Sequence, residues 1–394
     1  MIINIKPVDV LFFRDSKPFG RGSEHFTKSI FPPFSQTLYG ALRTTVLEKL
    51  GCDYDTYKTG NVSFSNTAMV EKAGLEKIIK ELGTPNQFGD FTLKGPFLLH
   101  NGESVFIRVP SDIKKIEDSD ELCVLAPFDW KRYGISTDLK ELECFFPHTI
   151  KEKRLKDING YMSISSFTEY SLGVSIKTSD IKSTDEIFNY EMRTGLGINR
   201  ETNVSEEGLL YTMGFVRLKD CNKDQWSLCA EVKDFSLLSK RGFIKLGGAN
   251  RVCEYEEISD NPFKYYYDIT HEIKKIVQNT KKFKLIFLTP ALFKKGWLSE
   301  RFNDNFELEI YGIKIKLISV CLNKPEVVSG WDLANQKPKH IKKVVPSGSV
   351  YYFELSDNSE DAIDKIFDYF LNNNFSDENE KTGFGTVLIG GINV

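Results

Sequence analysis

The last third of the sequence carries the pattern that most restricts the fold. Apolar runs of strand length occur there together with one segment whose apolar residues recur at helical spacing. In chain order, the pattern predicts a strand at 284–290, a strand-rich stretch at 307–320 with a turn at Gly312, a strand at 349–355, a helix at 361–373 capped by Ser359, and a strand at 386–391. Such an order favours an α+β domain.

The first part of the chain repeats this order less regularly. The predicted elements are a strand at 2–6, a helix from Ser35 as N-cap to Leu50, a helix at 70–82 ending at Gly83, and a hairpin of 209–218 with 226–232. The order strand, helix, two strands, helix, strand is typical of a ferredoxin-like unit. We therefore predict an α+β fold of tandem ferredoxin-like (RRM-like) units with long insertions and Gly-rich loops, with domains at 1–240 and 241–394.

Charge is segregated along the chain although the total is close to neutral. Lys+Arg 52 against Asp+Glu 55 gives a net charge of −3, which does not by itself indicate a nucleic-acid partner. Residues 281–350 carry 13 basic against 6 acidic residues, and residues 351–381 carry 2 against 9. Any anionic ligand must therefore be held by local charge. We assign no function to the acidic segment.

The remaining composition excludes several classes of protein. The seven cysteines are scattered and never spaced C-x-x-C, and no two of the five histidines have metal-ligand spacing on one helix, so we predict reduced thiols and no metal site. Neither a signal peptide nor an apolar run of membrane-spanning length is present, so we expect a cytoplasmic protein without membrane contact. No phosphate-binding or hydrolase motif occurs, so we expect no cofactor and a binding module rather than an enzyme.

Three Gly-rich loops carry arginines, which turns alone do not require. They are 12–25 with Arg14, Lys17, Arg21 and His25, then 193–210 with Arg193 and Arg200, and 246–251 with Arg251. Guanidinium groups beside Gly-rich backbone suit phosphate binding, because arginine presents a planar fork of donors. A surface loop with an Arg14–Asp15 pair is the equally weighted alternative for the first loop.

The segment Gly383-Phe384-Gly385 resembles the start of a dinucleotide-binding motif, but it follows a helix and precedes a strand, the reverse of that motif. It also half-matches an RNA-recognition-motif signature, although Thr386 and Ile389 stand where stacking aromatic residues are expected. Two interpretations remain open: a glycine loop that lets a nucleic-acid backbone approach, and a plain tight connection.

Two basic segments complete the candidate sites. Residues 294–297 (KKGW) combine Lys294, Lys295 and Trp297, which could hold a phosphate and stack on a base, although a tryptophan is more often part of a core. Residues 337–343 form a basic patch suited to a nucleic-acid backbone or an acidic partner surface.

Taken in order, eight segments resemble the third Cmr subunit, a RAMP-superfamily component of type III-B CRISPR effector complexes. They are DVLFFRDSKPF (9–19), SIFPPFSQTLYGALRT (29–44), RTGLGINR with EEGLLY (193–211), LGGANR (246–251), TPALFKKGW (289–297), SGWDL (329–333), VPSGSVYYFEL (345–355) and GFGTVLIG (383–390). The resemblance covers essentially the whole chain.

This resemblance implies tandem ferredoxin-like folds, a non-catalytic role, and recognition of the 5′ repeat-derived tag of the guide RNA. The implied partners are the guide RNA, the large polymerase-like subunit and other RAMP subunits of the Cmr complex, with a nucleotide at the interface with the large subunit. We expect the loops 12–25 and 193–210 to clamp the tag together.

The resulting predicted RNA-binding residues are Arg14, Lys17, Arg21, His25, Arg43, Arg193, Arg200, Arg251, Lys294, Lys295, Trp297, Gly383, Phe384 and Gly385. The predicted partner-binding residues are Lys337, Lys339, Lys342 and Lys343.

Other functions compete with this one. A guide-processing endoribonuclease of the same superfamily would use His25 as general acid or base. A purely structural scaffold would use the basic patch and the acidic segment against partner subunits. The type III-A counterpart subunit is a related possibility, although the segments at 329–333 and 345–355 favour the III-B form.

Overall fold

The computed structural model describes residues 1–14, 26–60, 62–85, 87–128, 144–147, 154–199, 201–221, 224–332 and 337–392. Lys17, Arg21, His25 and Arg200 lie outside these ranges. No helix in the described part of the chain combines the length and the apolar character needed to cross a bilayer.

The chain is a mixed α+β fold built on antiparallel sheets. Its helices are α1 (Ser35–Lys49), α2 (Tyr54–Lys58), α3 (Thr67–Ala73), α4 (Leu75–Leu82), α5 (Ile164–Ser171), α6 (Thr184–Ile187), α7 (Lys264–Asp268), α8 (Thr270–Thr280) and α9 (Glu360–Asn372).

Its strands are β1 (Ile2–Pro7), β2 (Phe26–Lys28), β3 (Gly83–Thr84), β4 (Gln87–Phe88), β5 (Thr92–His100), β6 (Ser104–Arg108), β7 (Ile113–Ile116), β8 (Leu122–Phe128), β9 (Cys144–Pro147), β10 (Leu155–Asp157), β11 (Gly160–Ser163), β12 (Ile181–Ser183), β13 (Phe188–Ile198), β14 (Ser205–Leu218), β15 (Asp220–Cys221), β16 (Asp224–Lys233), β17 (Arg241–Lys245), β18 (Val252–Ile258), β19 (Lys282–Phe287), β20 (Glu307–Ile310), β21 (Ile313–Cys321), β22 (Glu326–Val328), β23 (Trp331–Asp332), β24 (Lys337–Pro338), β25 (Lys342–Val344), β26 (Val350–Leu355) and β27 (Val387–Gly391).

Two compact units make up the chain, and each is assembled from three segments. Unit 1 comprises residues 1–102, 185–259 and 327–342, and unit 2 comprises residues 103–184, 260–326 and 343–394. The domain boundary predicted at residue 240 stays a prediction.

In unit 1, the main strands lie in the order β5-β16-β1-β18-β17. Helix α1 lies in the connection from β1 to β5, and buries the stripe Leu38, Leu42 and Val46. Tyr39 of this helix begins a stack of three aromatic rings. Its ring centroid lies 3.9 Å from that of Phe91, which lies 4.1 Å from that of Phe235. A second sheet of unit 1 has the order β13-β14-β2.

In unit 2, one sheet has the order β20-β21-β26-β19-β27, and α9 connects β26 to β27. As the sequence predicts, Ser359 caps α9 by accepting a hydrogen bond from the Ala362 backbone N–H. Tyr311 and Gly312 form the turn between β20 and β21. The predicted elements of the last third are thus confirmed.

A buried polar network joins several elements of unit 2. The Asp112 carboxylate, which is fully buried, accepts hydrogen bonds from the hydroxyl groups of Tyr170 at 2.7 Å and Tyr352 at 2.5 Å. The ammonium group of Lys284 lies 3.7 Å from the same carboxylate. Burial lowers the pKa of Lys284 to about 8, although Asp112 opposes this shift.

Among the predicted helices and hairpins of the first part of the chain, three predictions are wrong. Phe34, not Ser35, is the N-cap of α1. The helix predicted at 70–82 is interrupted by Gly74, whose φ of +82° ends α3 and begins α4. The predicted hairpin of 209–218 with 226–232 does not form, because β14 pairs with β13 while β16 pairs with β1 and β5. Both strands exist, but they belong to different sheets.

Candidate nucleic-acid interface

The segment 193–198, predicted as part of a loop, is the second half of strand β13. It pairs with β14 in a long antiparallel hairpin, in the register Glu191 opposite Phe215 and Arg193 opposite Met213. Since side chains alternate along a strand, residues 191, 193, 215 and 217 share one face. The prediction of a loop here is wrong, because the alternation of side chains extends β13 to Ile198.

Three arginines and two carboxylates meet on this face, and we call them the arginine cluster. The cluster comprises Asp9 after β1, Glu191 and Arg193 on β13, Arg217 on β14, and Arg251 before β18. It joins two predicted site residues, Arg193 and Arg251, that are distant in sequence.

Glu191 bridges two of the arginines through both inner nitrogens and also pairs with an outer nitrogen of Arg193 at 2.6 Å. Its carboxylate accepts hydrogen bonds from Nε of Arg193 at 2.7 Å and from Nε of Arg217 at 2.6 Å. Asp9 accepts from the outer Nη atoms of all three arginines at longer distances: 2.9 Å for Arg217, 3.2 Å for Arg193 and 3.4 Å for Arg251.

The arginine cluster is accessible to solvent and packs on buried apolar side chains. Its side chains are between 24% and 48% exposed, whereas Val10, Phe12 and Phe215 beneath them are buried. The guanidinium carbon of Arg251 lies 4.6 Å, and that of Arg193 5.2 Å, from the ring centroid of Phe215.

The arginines also keep both carboxylates ionised. Hydrogen bonds from Arg217 and Arg193 lower the pKa of Glu191. Partial desolvation raises the pKa of Asp9, but hydrogen bonds from the same arginines outweigh it, so the pKa lies below its ordinary value. Three guanidinium groups against two carboxylates leave a net charge of +1 on the cluster. Such a surface attracts an anion and presents several N–H donors to it.

The opposite face of the hairpin carries exposed apolar side chains around the polar pair Thr194 and Thr212, and we call it the apolar hairpin face. Its members are Phe26 on β2, Met192 and Leu196 on β13, and Leu210 on β14, with exposed fractions of 52%, 46%, 57% and 52%. Leu196 lies opposite Leu210, and Phe26 lies beside Thr212 in parallel register. At the tip of the hairpin, Ile198 and Val204 are exposed as well. Exposed apolar residues grouped on one face in this way are typical of a binding surface.

Of the described residues in the predicted RNA-binding set, two more lie in unit 1, namely Arg14 and Arg43. Arg14 is exposed at the last described position before residues 15–25. Arg43 is partly buried, and its guanidinium donates hydrogen bonds to the hydroxyl of Tyr57 at 2.8 Å and to the carbonyl of Thr84 at 2.5 Å. These contacts give Arg43 a structural role within its own unit.

The residues predicted at 294–297 lie in a turn of unit 2. The ammonium of Lys294 lies 2.6 Å from Glu300, and that of Lys295 donates to the carbonyl of Phe302. Trp297 is half-buried and stacks on Phe306, with 6.2 Å between ring centroids. Their RNA contacts stay predictions.

The glycine loop at 383–385 is packed inside unit 2. Phe384 is fully buried, and Gly383 accepts a hydrogen bond from the hydroxyl of Thr289 at 2.7 Å. At Gly385, with φ +79°, a Cβ atom would lie 2.2 Å from the carbonyl oxygen of Phe375. The chain itself therefore occupies the space beside this glycine, which supports the tight connection, the second of the two interpretations left open.

The basic patch is connected to helix α1. Gln36 in the first turn of α1 donates to the carbonyl of Ser329, whose hydroxyl donates to the carbonyl of Lys339, each at 3.0 Å. Lys339 and Lys343 are exposed, Lys342 is half-exposed, and the backbone of Lys337 lies in β24. Partner contacts of these lysines stay predictions.

Sequence reasoning missed Asp9, Glu191 and Arg217. The spacing of Glu191 and Arg193 would have placed both on one face, had 188–198 been recognised as a strand. No local signal indicates Asp9 or Arg217, because their partners are distant in sequence. Among the described residues, no group of three or more His, Cys, Asp or Glu side chains could hold a metal ion.

Comparison with known proteins gives a family and a fold. The model of the family "CRISPR-associated protein (Cas_Cmr3)" matches residues 3–392. A chain from a cryo-EM structure of the type III-B Cmr-beta complex bound to cognate target RNA has 16% sequence identity and a TM-score of 0.50, covering 98% of this chain and 96% of that one. A chain from the same kind of complex bound to cognate target RNA and AMPPnP has 15% identity and a TM-score of 0.45, covering 89% of this chain and 86% of that one. No curated protein sequence matches the chain.

Proposed function

The chain belongs to the Cas_Cmr3 family of CRISPR-associated proteins, and on that premise we propose that it is a non-catalytic, RNA-binding subunit of a type III-B CRISPR effector complex. In this role it recognises the 5′ tag of the guide RNA in the cytoplasm. The observation that carries the proposal is the arginine cluster, which joins predicted RNA-binding residues on one accessible surface of unit 1.

The chemistry of the cluster fits an RNA backbone. Arginine forks donate two parallel hydrogen bonds to phosphate oxygens, and Phe215 beneath Arg193 and Arg251 restricts how far the two guanidinium groups can move. Guanidinium groups held in place by other contacts lose little conformational freedom when a phosphate binds.

The apolar hairpin face fits the other component of RNA. Single-stranded RNA is recognised through bases that are unstacked and packed against protein side chains. Leu196, Leu210 and Phe26 offer such a surface on the same hairpin that carries Arg193 and Arg217. The hairpin could then hold the backbone on one face and bases on the other, in place of the predicted clamp by two loops.

The proposal extends to partners and to fold. Docking on the large polymerase-like subunit would involve the basic patch at 337–343, and a nucleotide at that interface stays a prediction. A tandem ferredoxin-like organisation is supported by strand order, since β16 lies between β1 and β5 in unit 1, and β26 lies between β19 and β21 in unit 2. A ferredoxin-like unit has the order strand, helix, two strands, helix, strand. Unit 1 has the first of these helices, α1 between β1 and β5, and unit 2 has the second, α9 between β26 and β27.

RNA-binding measurements with arginine variants test this function. We expect the triple variant Arg193→Ala, Arg217→Ala and Arg251→Ala to weaken binding of a tagged guide RNA by about tenfold or more, because each charged contact contributes about 1 kcal/mol or more. The loss should be smaller for RNA with a scrambled 5′ end. Fluorescence anisotropy gives the Kd values, and gel analysis should find the RNA intact.

Arg241→Ala is the matched control, because it removes an exposed arginine of the same unit outside the cluster. We expect it to change the Kd little. Equal losses for tagged and scrambled RNA would contradict tag recognition, and an unchanged Kd for the triple variant would contradict this site.

A further inference from the structure

We propose that Asp9 occupies the position of an RNA phosphate in the RNA-free protein, and that Glu191 is a positioning residue that holds Arg193 and Arg217 ready to receive that phosphate. The inference rests on the proposed function and goes beyond it, because it assigns opposite effects on RNA affinity to two carboxylates of one cluster.

The two carboxylates contact the guanidinium groups differently. Glu191 binds the inner Nε atoms of Arg193 and Arg217 at 2.6–2.7 Å and also lies 2.6 Å from an outer Nη atom of Arg193, so it fixes the direction in which each fork points. It lies on β13 between the two arginines, in the middle of a paired strand. A substitution of Glu191 would leave both forks without this anchor.

Asp9 instead contacts the outer Nη atoms, at 2.9 Å, 3.2 Å and 3.4 Å from Arg217, Arg193 and Arg251. A phosphate would accept hydrogen bonds from these same N–H groups, because carboxylates and phosphates are both oxyanions that accept from arginine. The Asp9 side chain is 44% exposed, so it can turn to solvent when another anion takes its place. A surface ion pair of this kind contributes little to the stability of the fold.

Arg251 is the arginine least satisfied by the two carboxylates. Its contact with Asp9 is the longest in the cluster, at 3.4 Å, and no ion pair joins it to Glu191 in the described part of the chain. Its Nε atom is buried and lacks a hydrogen-bond partner. A phosphate in place of Asp9 would give Arg251 an acceptor with more lone pairs and more negative charge.

The substitutions Asp9→Asn and Glu191→Gln each remove one negative charge. A difference between their effects on RNA affinity therefore reflects the position of each carboxylate and not the loss of charge. In Asp9→Asn, RNA no longer has to displace a carboxylate, so we expect the Kd for a tagged guide RNA to fall by about threefold to tenfold, as expected for one competing charged contact. In Glu191→Gln, the forks lose their anchor, so we expect the Kd to rise by a similar factor. Thermal unfolding of both variants should stay close to that of the wild type.

The probe is a tagged guide RNA prepared with a 5′-hydroxyl and, separately, with a 5′-phosphate. A tighter Kd of Asp9→Asn with both RNAs assigns the cluster to a backbone phosphate. A tighter Kd only with the 5′-phosphorylated RNA assigns it to the terminal phosphate. Either result supports displacement of Asp9.

Three results would overturn the inference: both variants bind more tightly, which indicates net charge alone; both bind more weakly, which makes Asp9 an anchor as well; or neither changes the Kd. If the arginine triple variant also binds RNA normally, the proposed function at this site fails too. If the triple variant loses binding while the two carboxylate variants behave alike, only the inference about Asp9 and Glu191 fails.

Discussion

At the scale of single residues, glycines in two predicted RNA-binding loops serve different purposes. Gly296 and Gly385 have nearly the same backbone angle, with φ of +78° and +79°. A Cβ atom at Gly296 would meet nothing within 4 Å, whereas one at Gly385 would overlap the carbonyl of Phe375. The local sequence does not distinguish these two glycines, because the neighbour that requires Gly385 comes from another part of the chain.

This difference predicts unequal stabilities for two alanine variants. Gly296→Ala should cost about 1–2 kcal/mol, because an alanine at this φ is strained. Gly385→Ala should cost about 2 kcal/mol more, because the side chain also overlaps backbone. Denaturant unfolding measures both values, and equal losses would contradict the packing role of Gly385.

At the scale of elements, periodicity predicted several strands and helices, among them β14, β16 and α9, but not which strands pair. The strands at 209–218 and 226–232 exist near the predicted positions, and the hairpin between them does not form. Pairing depends on which faces are buried: β16 is buried along most of its length in the main sheet of unit 1, whereas β14 pairs with the partly exposed β13. Those burial partners are not adjacent in sequence.

The exposed residues of this hairpin give a prediction at the same scale. The double variant Leu196→Ser and Leu210→Ser should leave the free energy of unfolding within about 1 kcal/mol of wild type, because both side chains are more than half exposed. It should weaken guide-RNA binding by about tenfold through lost apolar contact.

Phe243→Ser is the control, since Phe243 is 63% exposed on β17 outside the hairpin. We expect it to leave the Kd unchanged. If the leucine variant bound RNA as tightly as the wild type in the same anisotropy assay, the apolar hairpin face would not be part of the RNA site.

At the scale of the whole molecule, the near-neutral charge limits how the proposed RNA ligand can be bound. A net charge of −3 provides no general attraction for a polyanion. The arginine cluster concentrates three guanidinium groups on one surface while two carboxylates reduce its net charge to +1. Binding should then depend on a small number of placed contacts.

The salt dependence of RNA binding tests whether binding depends on a small number of charged contacts. About three or four phosphate contacts to single-stranded RNA predict a slope of log K against log salt of about −2 to −3. The measurement is the Kd of the tagged guide RNA across a salt titration. A slope steeper than about −5 would indicate binding dominated by general charge and would contradict the cluster as the main site.

By itself, the sequence determined the α+β class, the elements of the last third, the cap at Ser359, and the positions of Arg193 and Arg251 as candidate contacts. Each depends on residues close together along the chain, where periodicity and capping act. Only the tertiary structure decided that these arginines share a surface with Asp9, Glu191 and Arg217, and that the glycine loop at 383–385 is filled by Phe375. These arrangements depend on strand pairing and packing between distant segments, and local patterns do not encode which segments meet.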